Sequence, residues 1–144
     1  NDKEVALPFK EAHEVTISDQ AVSTNEIIYL NPFVTSHLTE NPFKSESREY
    51  PVDFGSPQET LYTCRISIPD NYVIDELPQT RVIKLPGNAA KYAYSVTQAG
   101  NAIMITSNLQ INNSLFSQEE YPTLRLFYDQ IVAKQAEQIV LKKK

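Results

Sequence analysis

The stretch that most constrains this chain is Arg48–Pro78, and within it the run Leu61–Ile68. Tyr62, Cys64, Ile66 and Ile68 share one parity, and Leu61, Thr63, Arg65 and Ser67 share the other. Successive side chains of a strand point to opposite faces, so the run predicts a strand with one apolar face and one mostly wet face. Pro69-Asp70-Asn71 supplies the turn chemistry that stops it. Tyr72-Val73-Ile74 resumes an extended segment, and Pro78 closes it. Upstream, Tyr50–Phe54 is extended by composition. Pro51 cannot donate to a ladder, which places this segment at a sheet edge or at the start of a strand.

The flanking segments carry the same pattern in weaker form. Val5-Ala6-Leu7 and His13–Ile17 have short strand character, Asp19–Asn25 is polar and turn-like, and Glu26–Leu30 is an apolar strand ended by Asn31-Pro32. Thr35–Ser47 reads as a loop. Beyond Pro78, Gln79–Leu85 predicts a strand that stops at Pro86-Gly87-Asn88. Lys91–Gln98, with Tyr92, Tyr94 and Val96 on one side, and Ala102–Ile111, with Ile103, Ile105, Leu109 and Ile111, predict antiparallel neighbours joined at Ala99-Gly100-Asn101. No internal repeat stands out.

The period then changes. Leu124, Phe127, Tyr128, Ile131 and Val132 fall on one helical face, and Ser117 with Glu120 is a capping-box pattern. Pro122 fits only within a first turn, so the helix is expected over about 118–135. Ile139-Val140-Leu141 predicts a final strand, and Lys142–Lys144 a solvated tail. About eight strands at roughly ten-residue spacing with one late helix make the expected fold mainly β, a β-sandwich with a C-terminal helix and a short last strand. The 144 residues suit a single domain over 1–144, with leading strands and a loop over 1–45 and the core over 46–144.

The bulk composition removes several function classes. A net charge of -5 leaves no basic footprint for nucleic acid. No apolar run approaches the roughly 20 residues of a membrane-spanning helix, so no membrane insertion is expected. The charged opening Asn1-Asp2-Lys3-Glu4 does not read as a signal peptide. The three glycines, Gly55, Gly87 and Gly100, build no phosphate loop. The single cysteine, Cys64, sits mid-strand on the apolar parity, where a buried core thiol is expected rather than a nucleophile. His13 and His37 lie in unrelated segments without ligand spacing. The acidic pairs Asp75-Glu76, Glu119-Glu120 and Glu46 with Glu49 read as surface or helix-terminal charges. The sequon Asn112-Asn113-Ser114 carries little weight. No catalytic residue, metal ligand or cofactor site is therefore expected. Tyr29, Tyr50 and Tyr72 are the residues that could line a groove, which makes an independent glycan- or peptide-binding module the alternative reading.

Asn41-Pro42-Phe43-Lys44 followed by Arg48–Phe54 resembles the C-terminal domain of a family of bacterial transglutaminase-like proteins. The likeness runs on through Ile68–Tyr72, Glu76-Leu77-Pro78, Glu120-Tyr121, Phe127-Tyr128 and Lys134–Leu141, covering about Ile28 to the end. The resemblance implies an immunoglobulin-like, non-catalytic accessory module. It would follow a papain-like transglutaminase core in the same polypeptide, exported to the periplasm or cell envelope of a Gram-negative bacterium. None of that core's Cys-His-Asp triad has a counterpart here. The expected role is to pack against, or to position substrate for, that catalytic domain.

Overall fold

The structure, a computed structural model, describes residues 11–18, 20–35 and 37–144. Val5-Ala6-Leu7 lies outside the described residues. The molecule is mainly β, built from antiparallel sheets with one helix near the C-terminus and a final strand after it.

Two sheets have four strands each. The first joins β1 (Ala21–Ser23), β2 (Ile27–Leu30), β10 (Ile139–Lys143) and β5 (Tyr72–Glu76) in the order β1-β2-β10-β5. The second joins β4 (Gln58–Ser67), β6 (Arg81–Lys84), β7 (Ala90–Ala99) and β8 (Ala102–Ile111) in the order β4-β8-β7-β6. A two-stranded piece pairs β3 (Val52–Asp53) with β9 (Leu115–Phe116). The helix α1 covers Tyr121–Gln135.

The second sheet is the framework, and its alternation comes straight from the chain. Tyr92, Tyr94, Ile103, Ile105 and Ile111 are buried on its inner face, and Tyr62, Cys64 and Ile66 of β4 line the same face. Gly100 takes φ 59° in the two-residue link between Ala99 and Ala102, a conformation that favours glycine. At the other end, Gly87 and Asn88 hold φ 61° and 58°, which turns the chain from β6 into β7. Ile28, Leu30, Ile74, Ile139 and Leu141 of the first sheet, the buried face of α1 and the inner face of the second sheet share one core.

The helix begins through the expected capping box. Ser117 N–H donates to Glu120 Oε2 at 2.8 Å, and Glu120 N–H donates to Ser117 Oγ at 3.3 Å. Regular helix nevertheless starts at Tyr121 rather than Gln118, because Pro122 has no N–H to continue an earlier ladder. The buried face is wider than expected, adding Tyr121, Lys134 and Gln135.

Other local readings change as well. His13–Ile17 is not a strand: Val15 and Ile17 are exposed and have no partner strand among the described residues, and β propensity alone does not form a ladder. Asp19–Asn25 is not simply a turn, because Ala21–Ser23 pairs with Ile28–Leu30. The partner strand, not its own composition, makes β1. Among the described residues ten strands form rather than about eight, the short β3 and β9 among them. Lys142–Lys144 is not a free tail. Lys142 pairs with Ile27 and Val73, Lys143 N–H donates to the Glu26 carbonyl at 2.7 Å, and Lys144 N–H to that of Asn71 at 3.0 Å.

Candidate docking face

The single thiol lies on the inner face of β4, as its parity predicted, but it is half-buried rather than fully buried. The reason is position: β4 is the outermost strand of its sheet, so one flank of Cys64 has no neighbour strand. Among the described residues no hydrogen bond joins Cys64 to a histidine. His37 stacks on Phe33 with ring centroids 5.7 Å apart, and Phe33 packs against Tyr62 at 5.2 Å. His13 is exposed in the irregular segment before β1. Among the described residues no three His, Cys, Asp or Glu side chains gather in a metal-holding group.

The acidic pairs stay apart in role. Glu120 caps the helix start, and Asp75 and Glu76 lie exposed on β5. Glu46 and Glu49 are exposed in the loop before β3. Asn112 has a structural task, its Nδ2 donating to the Asn88 carbonyl at 2.7 Å.

A cavity of about 410 Å³ lies between the loop after β2 and the inner face of the second sheet, lined by His37, Leu38, Tyr62, Ser107, Tyr128 and Gln135 among others. Its polar groups serve one another. Ser107 Oγ donates to Tyr92 Oη at 3.0 Å, and Gln135 Oε1 accepts the Leu38 N–H at 2.7 Å. Tyr62 Oη donates to the Pro32 carbonyl at 2.7 Å. Burial pushes the Tyr62, Tyr92 and Tyr94 hydroxyls up from their ordinary range, and pushes Tyr128 up to about 12. These hydroxyls stay protonated at neutral pH and serve as neutral hydrogen-bonding groups, Tyr62 donating to Pro32 and Tyr92 accepting from Ser107, not as bases.

The motif residues behind the family resemblance meet in one place, and it is a packing centre. The Phe43 ring sits 5.0 Å from Tyr128, 5.9 Å from Tyr121 and 6.4 Å from Phe54. The Arg48 guanidinium lies 5.8 Å from the Phe43 ring and 5.5 Å from that of Tyr121. An internal repeat also emerges that the hydrophobic pattern hid: Asn31-Pro32-Phe33 and Asn41-Pro42-Phe43. In both, the asparagine Oδ1 accepts the phenylalanine N–H at 2.8 Å while its Nδ2 donates to a helix carbonyl. Asn31 reaches Gln135, one of the last carbonyls of α1, and Asn41 reaches Arg125. The recurring tripeptide was the available signal.

The three tyrosines proposed for a groove are not brought together. Tyr72 lies on the inner side of its sheet against the core, Tyr29 lies on the opposite face, and Tyr50 is 77% exposed in a loop. What the outer face of the first sheet does present is a row of apolar side chains. Val22, Tyr29 and Val140 stand directly opposite one another on β1, β2 and β10. Ile27 and Val73 flank Lys142 in the next row. None of these five belongs to the core; Val22 is 60% and Val73 45% exposed. Beside the row lies a depression of about 360 Å³ between Tyr29, Val140 and Pro78, rimmed by Glu76 and Glu137. An apolar centre with a polar rim, spread over neighbouring strands roughly 4.8 Å apart, is the make-up of a protein-docking surface.

The fold and this face define a mainly β domain whose helix is strapped by a loop and whose first sheet offers an apolar outer surface. Residues 26–141 match the family described as "Domain of Unknown Function with solved-structure structure (DUF3858)", and the chain belongs to that family. No curated protein sequence matches the chain. Among solved structures, it is similar to a "putative protease" from Parabacteroides distasonis ATCC 8503, at 16% identity and a TM-score of 0.66. That similarity covers 86% of this chain but 24% of the other, so the chain corresponds to a minor part of a larger protein. At this identity the likeness establishes the shared fold. Among the described residues no helix is long and apolar enough to cross a membrane.

Proposed function

We propose that this chain is a non-catalytic accessory domain. It packs against a transglutaminase- or protease-like catalytic domain of the same polypeptide and helps to position that domain's substrate. The observation that carries this reading is the apolar row Val22–Tyr29–Val140, with Ile27 and Val73 beside it, on a sheet face that no described element covers. Scattered surface apolar residues need no explanation, but a row across adjacent strands of one sheet face is the kind of patch that marks a binding surface. The similarity to a minor part of a larger "putative protease" supports a place beside an enzyme. The immunoglobulin-like character and the export to the periplasm or cell envelope rest on the family resemblance; cell fractionation of the producing organism addresses the second.

The test is association with the catalytic domain encoded in the same reading frame. The two pieces are purified separately and titrated calorimetrically, with the unaltered chain and with Tyr29→Glu plus Val140→Glu. Both positions face outward, so the doubly altered chain is expected to fold, which circular dichroism checks. A central aromatic anchor typically carries 1 to 2 kcal/mol or more, so binding should weaken by at least about tenfold. Equal affinity of both chains, or a reading frame with no such domain, would rule the proposal out.

A further inference from the structure

We propose that β4 is a self-association edge, along which two copies of this chain pair antiparallel about a two-fold axis at Tyr62 to form one continuous eight-stranded sheet. This inference uses a different surface from the docking face and does not depend on that reading.

A sheet edge presents unpaired N–H and C=O groups, and proteins ordinarily blunt it by shortness, bulges, proline or charge. Three of the four outer strands of the large sheets are short: β1 has 3 residues, β6 has 4 and β5 has 5. The pairing of β5 with β10 also carries a register shift. β4 differs on each count. It runs 10 residues, contains no proline, and keeps unbroken register with β8 from Gln58 to Ser67. Among the described residues nothing pairs with its outer edge.

The direction of the free groups follows from the ladder. Ile68 N–H donates to the Asn101 carbonyl on the β8 side, so the even-numbered residues of this strand bond inward to β8. The odd-numbered residues Glu59, Leu61, Thr63 and Arg65 then point their backbone groups at the open edge. A two-fold axis perpendicular to the sheet keeps the apolar inner faces of both copies on one side, which requires odd residues to meet odd residues.

Charge selects the register. Glu59 and Arg65 are the charged residues of β4, and they lie equally far on either side of Tyr62. Centring the axis on Tyr62 sets Glu59 opposite the second copy's Arg65, and Arg65 opposite its Glu59, on the outer face. Leu61 meets Thr63 in the same arrangement. Asn108 and Gln110 each donate to Glu59 Oε1 at 2.9 Å, which fixes its carboxylate on that face. On the inner face, the half-buried Tyr62, Cys64 and Ile66 gain the neighbours that the open edge denies them. Thr60 comes to lie directly opposite the second copy's Cys64 in a non-hydrogen-bonded pair, with Cα atoms about 4.5 Å apart, within disulfide reach.

The first measurement is sedimentation of the unaltered chain under reducing conditions across a wide concentration range; dimers are expected to form. Arg65→Glu sets like charges opposite each other twice and should raise the dissociation constant by about tenfold, with Glu59→Arg plus Arg65→Glu restoring it. Thr63→Pro removes an outward N–H while sparing the β8 ladder, and should abolish pairing. The register is read by oxidising Thr60→Cys, which is expected to give a covalent dimer through Cys64, whereas Gln58→Cys gives none. A chain that stays monomeric throughout, a dimer indifferent to Arg65→Glu and Thr63→Pro, or a cross-link from Gln58→Cys and not from Thr60→Cys overturns the proposal.

Discussion

Asn31 and Asn41 show how much one side chain can hold. Each closes a turn with Oδ1 and clamps the loop to α1 with Nδ2, and each thereby sets a phenylalanine into the core: Phe33 is 2% and Phe43 8% exposed. Asn41 Nδ2 also donates to Asp129 Oδ1 at 2.7 Å. Replacing Asn41 by Ala leaves the Phe43 N–H without its acceptor, and should cost about 1–3 kcal/mol in denaturant unfolding. Asn41→Asp keeps that acceptor but turns a carboxylate toward Asp129 and loses the donor. It should be at least as damaging at neutral pH, and an unchanged midpoint in either variant would refute the clamp.

The tyrosines give a second residue-scale prediction. Burial raises the Tyr92, Tyr94 and Tyr128 hydroxyls, the last to about 12, above the ordinary value of 10.0 that they regain on unfolding. Between those values the unfolded chain binds fewer protons than the folded one, so stability falls as pH rises. The contribution is complete below about pH 10 and is lost as pH climbs through about 12. Absorbance titration at the phenolate band should show Tyr92, Tyr94 and Tyr128 ionising above the ordinary range, together with loss of the fold. Ionisation of these three near pH 10 with the fold retained would contradict the burial argument.

Among the elements, α1 and β10 both place apolar side chains in the shared core. A helix of 15 residues is marginal alone, and the docked face of Leu124, Phe127 and Ile131 holds it in place. Phe127→Ala or Ile131→Ala should cost about 2–5 kcal/mol, a large share of the roughly 5–15 kcal/mol of a typical domain. β10 lies between β2 and β5, so removing residues 136–144 takes the middle out of the first sheet. That truncation should abolish cooperative unfolding. Removing Lys142–Lys144 alone deletes paired backbone rather than a loose tail, and should lower the midpoint measurably, since each lost backbone bond is worth about 0.5–1.5 kcal/mol. Full stability after the longer cut would show that β10 is dispensable. The loop from Asn31 to Asn41 runs back along α1 from Gln135 to Arg125, a span of about 15 Å at 1.5 Å per residue. Those hydrogen bonds are why an irregular segment can cover a helix flank.

For the whole molecule, the central residues Ile103, Ile105, Tyr92 and Tyr94 of the second sheet lie in the same core as Leu141 of the first and Leu124 of the helix. Lys134 shows the cost of closing such a core around a charge: its ammonium is held 2.6 Å from Glu137 Oε2 and 5.1 Å from the centre of the Tyr94 ring. The two sheets also leave different surfaces. The first has an apolar outer row. The second has an outer face rich in Thr, Ser, Asn and Gln, and a long free edge. The proposed docking row and the proposed self-association edge thus lie on different sheets.

What depends on near neighbours along the chain was legible in the residues alone. Alternation specified β4, β7 and β8; the 3.6-residue period specified the docked face of α1; the capping box and Gly100 specified a helix start and a hairpin. Each of these is decided within a few residues by side-chain direction or backbone freedom. Features that need a distant partner were set by the folded arrangement. Ala21–Ser23 is a strand because Ile28–Leu30 lies beside it, and His13–Ile17 is not one because no described strand does. Cys64 is half-open because β4 happens to be outermost, Tyr29 and Tyr72 fall on opposite faces of one sheet, and the paired Asn-Pro-Phe turns gain their meaning from carbonyls more than eighty residues away. A strand's outer neighbours and a side chain's exposure are properties of the assembled sheets, and local pattern carries no information about which strand will be last.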